Sequence, residues 1–237
     1  MTRWEALLAV QEHDTSIDQL EHRRRTLPER AELDAATAAL TKLERRSAEV
    51  EATRHDLARA QQRLQDDIDT INARAVQHDQ TLYGGSVTNP RELQALQEEI
   101  GALKRRVTQL EDQQLDLMEQ IEPVEADLAH LAAERTALDD RSGALLAQIA
   151  EAEVAIDAEL ASVRSQREAD AAAVEPELLV EYEQLRPHSG GIAIARLVNG
   201  HCGGCHLALS AVERDRIKRL PPDAAAHCEE CGRLLAR

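Results

Sequence analysis

"LQALQEEIGALKRRVTQL", residues 93–110, decides the fold of this chain. Leu93, Ile100 and Val107 recur every seven residues, and Leu96, Leu103 and Leu110 each follow three residues later. That is an a/d seam, with β-branched residues common at a and Leu at d, the pattern of a helix burying a narrow stripe against a partner helix. The a series continues through Gln114, Ile121, Leu128, Arg135, Ser142, Ile149, Ile156 and Val163. The d series continues through Leu117, Val124, Leu131, Leu138, Leu145, Ala152 and Glu159. A helix over 91–172 is predicted, roughly 120 Å long at about 1.5 Å per residue. Pro123 lies off the seam and removes one backbone donor, so a kink is expected there without a helix end. Gln114, Arg135 and Ser142 are polar seam positions, either tolerated or fixing register.

The upstream half carries its own repeat: Leu43, Val50, Leu57, Leu64 and Ile71. Pro28 suits the first turn of that helix, predicted over 29–82. A shorter amphipathic helix over 3–26 precedes it, with Leu7, Val10, Ile17 and Leu20 on one side. Between the long helices lies "YGGSVTNPREL", residues 83–93. Gly84 and Gly85 can stop a helix, and Asn89 followed by Pro90 supplies an N-cap and a first-turn proline. The chain therefore turns back at a tip over 83–90. Residues 29–82 pair antiparallel with 91–144, which leaves 145–172 for the first helix. Tyr83, Val87, Asn89 and Arg91 are candidate partner-binding residues at this tip, because Tyr is a frequent interface anchor; pure turn chemistry is the plainer reading of the same residues.

Composition agrees with long helices. Aromatics make up 1% of the 237 residues, with no Phe, against 30% charged residues. A large globular core normally draws on aromatic area that is missing here. The net charge of −16 disfavours non-specific binding of the whole chain to phosphate backbones. Neither a signal peptide nor a membrane span is expected, and the predicted compartment is the reducing cytoplasm.

After residue 173 the pattern changes. A connecting helix is expected over 174–187, then a small domain over 188–237, with 1–173 forming the hairpin. Ile192–Val198 reads as a strand, and Asn199-Gly200 as a hairpin turn. Ser210 with Glu213 three residues on is a capping-box signature for a short helix. All four cysteines fall here: Cys202, Cys205, Cys228 and Cys231, as two CxxC pairs. Such spacing in a small terminal module indicates a tetrahedral four-cysteine site for one structural Zn2+. Gly203, Gly204 and Gly232 suit tight turns around a metal. Four thiolates close the shell, so catalytic zinc is not expected, and His201, His206 and His227 are read as bystanders or as donors to the ligands. A thioredoxin-like role would need a βαβ context that is absent.

Residues 186–237 carry a formal +3, leaving −19 for the rest. Arg214, Arg216, Lys218 and Arg219 on the short helix form a candidate anion or nucleic-acid patch, with a solvated helix face as the plainer reading. No aromatic residue is available there as a stacking platform.

"LYGGSVTNPRELQALQEEI" at the tip, with "CGGCHLALS" and "CEECGRLL" near the end, resembles the bacterial C4-type zinc-ribbon proteins with a long N-terminal coiled-coil hairpin. The resemblance covers nearly the whole chain and implies zinc ligation by the four cysteines. It also implies an adaptor rather than an enzyme. Some members, in flagellated or secretion-competent bacteria, are linked to an alternative sigma factor, to secretion components and to RNA, and the group is often labelled as predicted nucleic-acid binding.

The expected fold is mostly α: a long antiparallel coiled-coil helical hairpin followed by a small four-cysteine zinc ribbon of short β-hairpins and one short helix. No phosphate loop, nucleophile elbow or carboxylate dyad supports an enzyme, and a long helical pair lacks the concave pocket enzymes use. The expected function is that of a non-enzymatic adaptor contacting protein partners through hairpin and ribbon, as a monomer or a coiled-coil-mediated dimer. Nucleic-acid regulation through the ribbon is the alternative, and no membrane partner is expected.

Overall fold

The computed structural model describes residues 2–221 and 224–237. The chain begins with α1 (Arg3–Arg25), α2 (Pro28–Tyr83) and α3 (Pro90–Ala171). There follow α4 (Pro176–Leu185), a 3-10 turn over Arg186–Ser189, strands β1 (Ile194–Val198) and β2 (His201–Cys202), helix α5 (Ala211–Arg219) and strand β3 (Leu234–Ala236). The long helices fall within a residue or two of their expected bounds. The connecting helix is shorter than 174–187, and the strand starts two residues later than expected. Among the described residues no helix is long and apolar enough to cross a membrane.

Two compact units emerge, cut differently from the expected division at 173 and 187. One comprises residues 32–144; the other joins 1–31 with 145–237. In the first, α2 and α3 run antiparallel as expected. Cross-helix ion pairs mark the register: Glu32 with Arg141, Arg46 with Asp127, and Arg74 with Glu99. These are exposed and each is worth about 0–1 kcal/mol, so they report the alignment more than they create it. The seam creates it. Ile100, Val107, Leu110 and Leu131 are buried, and Ile68 packs with Val107 and Leu110. Gln114 sits in the seam as predicted, and its Nε2 donates to Oε1 of Gln65 at 3.0 Å. A half-buried amide pair of this kind tolerates few other registers.

At the tip, α2 stops at Tyr83, Gly84 donates its N–H to the Gln80 carbonyl, and Gly85 takes a φ of 75°. Asn89 caps α3: its Oδ1 accepts from the Arg91 backbone N–H at 3.1 Å.

In the second unit α1 lies along the C-terminal part of α3, held by Arg24 to Asp157, Arg164 to Glu21, and His13 to Asp170. Leu7, Val10 and Ile156 are fully buried. The predicted seam fails at Glu159, which is exposed while Leu160 is buried in its place. The stripe drifts by one residue because an α-helix has about 3.6 residues per turn, not 3.5. Arg135 is also exposed, turned outward toward Glu44 and Asp139.

The sheet is three-stranded, in the order β2-β1-β3. The β1–β2 hairpin turns at Asn199 and Gly200, with φ of 54° and 78°, the two left-handed residues of the predicted turn. β3 does not form a second hairpin with β1; the two are parallel, Ile194 opposite Leu234. Residues of α1, α4 and the sheet share one core: Trp4, Leu7, Leu178, Tyr182, Ile194 and Leu234. The ribbon is thus built onto the first helix of the chain, which sequence spacing did not indicate.

A polar cluster locks this junction. Asp14 is buried, and its carboxylate accepts from the Tyr182 hydroxyl at 2.8 Å and from Arg167 Nε at 2.7 Å. Burial, then the Asp14 carboxylate, pushes the Tyr182 phenol well up. Gln11 also reaches across: its Oε1 accepts from the Ala193 N–H and its Nε2 donates to the Gly191 carbonyl. Removing one partner of a buried charged pair strands the other. Asp14→Ala is therefore expected to lower the unfolding free energy of this unit by about 3–5 kcal/mol, read by urea denaturation; a loss under about 1 kcal/mol, the scale of an exposed pair, would contradict the junction's role.

Candidate metal centre

The two CxxC segments adopt the same local structure. In each, the first cysteine's carbonyl accepts from the backbone N–H four residues on: His206 to Cys202, and Gly232 to Cys228, both at 2.8 Å. Its own N–H donates to the carbonyl five residues on, Leu207 and Arg233 respectively. The residue after the second cysteine is left-handed in both, His206 at φ 64° and Gly232 at φ 71°. Gly232 fills that position without steric cost, whereas His206 does not. Gly203 and Gly204 play another part than the expected tight turning. A Cβ at Gly203 would stand 2.9 Å from the Arg196 carbonyl oxygen, and one at Gly204 would stand 2.6 Å from Arg233 Cδ. They let the first knuckle close onto β1 and onto the second knuckle.

These turns bring all four sulfurs within 4.8 Å of one another. Cys202 and Cys231 Sγ are 3.9 Å apart, and Cys205 and Cys228 Sγ 3.8 Å apart. A disulfide needs about 2.05 Å. A tetrahedron with metal–sulfur bonds of about 2.3 Å has edges of about 3.8 Å. The donor set and its spacing fit a single metal ion held by four cysteines. The residues predicted as ligands are the ones brought together.

Burial shapes the acidity of the cluster. It pushes the Cys202 thiol up and the Cys228 thiol up to about 12. Burial opposes ionisation of Cys231 as well, but the backbone N–H and side chain of Arg233, with the Cys228 and Cys205 thiols, outweigh it and bring Cys231 to about 7.

The flanking histidines stand outside the sulfur group. His201 Nδ1 lies 3.1 Å from the Asn199 carbonyl, and His227 pairs with Glu181 of α4 at 2.8 Å. Ser210 caps α5 as predicted, accepting from the Glu213 N–H at 3.1 Å. The reciprocal half of the capping box is missing, because the Glu213 carboxylate is taken by Arg216. Of the four patch cations, Arg216 is thereby paired and Arg219 faces Asp215 at 3.4 Å. Arg214 packs its Cδ close over Gly200, and Arg214 and Lys218 make no ion pair among the described residues. Arg237 was not singled out in the sequence. Its guanidinium donates to the carbonyls of Ile217, Leu220, Pro221 and Ala224 and closes the C-terminal end of α5. At the tip, Tyr83 is 81% exposed and Val87 half-buried, while Asn89 is engaged in the cap and Arg91 is exposed.

Residues 10–190 match the family model of the CT398-like coiled coil hairpin domain. The chain belongs to that family. An uncharacterized protein of Mycobacterium tuberculosis is 30% identical over 239 residues, covering 98% of this chain and 94% of its own. A solved structure from Mycobacterium smegmatis superposes with a TM-score of 0.87 at 25% identity, covering 99% of this chain and 97% of that one. CT398 from Chlamydia trachomatis gives 0.69 at 26% identity, over 98% and 96%. The HP0958 protein from Helicobacter pylori shares the fold, with a TM-score of 0.52 at 20% identity over 99% and 96%.

Metal entry at the four-cysteine site must displace protons from the raised thiols. Apparent affinity for Zn2+ or Co2+, measured by competition with a chelator, is expected to rise with pH, about tenfold per unit for each proton displaced. An affinity that is flat between about pH 6.5 and 8, the range below the ordinary thiol pKa, would contradict the protonated state assigned to Cys202 and Cys228.

Proposed function

We propose that the chain is a non-enzymatic adaptor of the reducing cytoplasm. The coiled-coil hairpin offers contact surface, and a zinc-stabilised ribbon forms a second docking element. The observation that carries this reading is the closed four-sulfur shell: four cysteines saturate a tetrahedral ion and leave no position for a substrate or an activated water. Zn2+ held by Cys202, Cys205, Cys228 and Cys231 would supply a cross-link worth on the order of 10–16 kcal/mol of apparent binding energy to a domain poor in large apolar side chains. Tyr83 supports a contact role for the tip, since an aromatic ring 81% exposed is a ready anchor.

Nucleic-acid binding through α5 has weaker support. Two of its four cations are already matched to carboxylates on the same helix, and the net charge of the ribbon is modest once four thiolates and one divalent ion are counted.

One capture experiment separates the readings. Full-length protein is used as bait in its native lysate, with and without nuclease, beside Tyr83→Ala, Cys228→Ser and the double variant Arg214→Glu/Lys218→Glu. The adaptor reading expects a protein partner that survives nuclease and the charge reversal, and that is lost with Tyr83→Ala or Cys228→Ser. Capture abolished by nuclease and by charge reversal would overturn it in favour of nucleic acid.

A further inference from the structure

Beside the seam, the 32–144 unit carries a second apolar feature that the hairpin does not use. Leu115 and Met118 lie three residues apart on α3, off the a/d positions, and are 58% and 51% exposed. With half-buried Ile121 and with Gln61 of α2 they line an open groove of about 580 Å³. Met118 is the only methionine of the chain besides the first residue. Methionine fills irregular contacts and is over-used on adaptable binding surfaces.

The rim of this groove is acidic. Residues 111–127 hold Glu111, Asp112, Asp116, Glu119, Glu122, Glu125 and Asp127, and no Lys or Arg. Glu125 and Asp127 answer Arg54 and Arg46 on α2. Of the three carboxylates that line the groove itself, Glu119 and Glu122 make no ion pair among the described residues. Pro123 lies within the same stretch of α3. A proline has no N–H, so the Glu119 carbonyl lacks its ordinary helical donor at the groove.

We infer that this groove is the docking site for a cationic amphipathic helix of a partner protein. The match is chemical on three counts. Leu115 and Met118 offer apolar area to an i, i+3, i+4 stripe. The unpaired carboxylates offer charge to flanking Lys or Arg. The Glu119 carbonyl offers an acceptor to a long cationic side chain. Recognition of an amphipathic helix through apolar anchors in a groove is a recurrent mode, and charge complementarity orients and speeds it. The inference rests on the adaptor reading and names the chemistry of one partner surface.

The test uses the full chain and a defined probe: a fluorescein-labelled, end-capped Leu/Lys peptide of about 18 residues with Leu at i, i+3, i+4 and i+7 spacing. Binding is followed by fluorescence anisotropy, with helicity checked by circular dichroism. Leu115→Gln/Met118→Gln changes no charge and keeps good helix formers; it is expected to weaken binding about tenfold or more. Glu119→Gln/Glu122→Gln is expected to weaken it about threefold and to flatten its salt dependence. Val154→Gln, at another exposed apolar site, serves as the control and is expected to change nothing. Equal effects of the Leu115/Met118 pair and of Val154→Gln would overturn the inference, as would absence of binding. So would sedimentation showing a dimer that the Leu115/Met118 variant dissociates, since a second copy would then occupy the groove. Failure here leaves the capture result for the Tyr83 and Cys228 variants untouched, so the groove and the adaptor reading fall separately.

Discussion

Four sulfurs within 4.8 Å of one another are the constraint on which the C-terminal part of this chain depends. They come from two knuckles separated by 22 intervening residues, and the buried apolar residues clustered with them are few: Ala195, Leu209, Ile217, Ala226 and Leu235. Holding the knuckles together aligns β1 beside β3, and that sheet presents Ile194 and Leu234 to Trp4, Leu7 and Tyr182. A metal held by these sulfurs would complete a core to which the first helix of the chain contributes, some 190 residues earlier in sequence.

The hairpin rests on different physics. Its stability comes from a stripe of Leu, Ile and Val along α2 and α3, since propensity alone leaves long polar helices marginal. The cost is a thin core and much exposed surface. Leu115 and Met118 interrupt that surface beside Glu119 and Glu122, the composition on which the proposed contact site rests.

Much of this was legible in the sequence, because periodicity and turn chemistry are local signals. The seam, the reversal at Gly84–Asn89, the Asn199-Gly200 turn and the four sulfur donors all appear where spacing placed them. What spacing could not show was long-range. Asp14 looked like one acid among many in a charged helix, yet Tyr182 and Arg167 converge on it from segments more than 150 residues away. Glu159 followed the seven-residue count while the helix itself drifted to Leu160. Gly203 and Gly204 read as turn formers and prove to be sites of close approach, which only the neighbouring strand and Arg233 reveal. The expected boundary between hairpin and ribbon failed to anticipate the grouping of α1 with the sheet for the same reason.

Hydrogen–deuterium exchange on metal-loaded and chelator-stripped protein tests the central claim directly. If the sulfur centre organises a core shared with α1, stripping the metal should raise exchange over 193–237, 174–185 and 4–10 together, and leave 32–144 unchanged. Retained protection over 193–237, or loss confined to that segment with 4–10 unaffected, would contradict it.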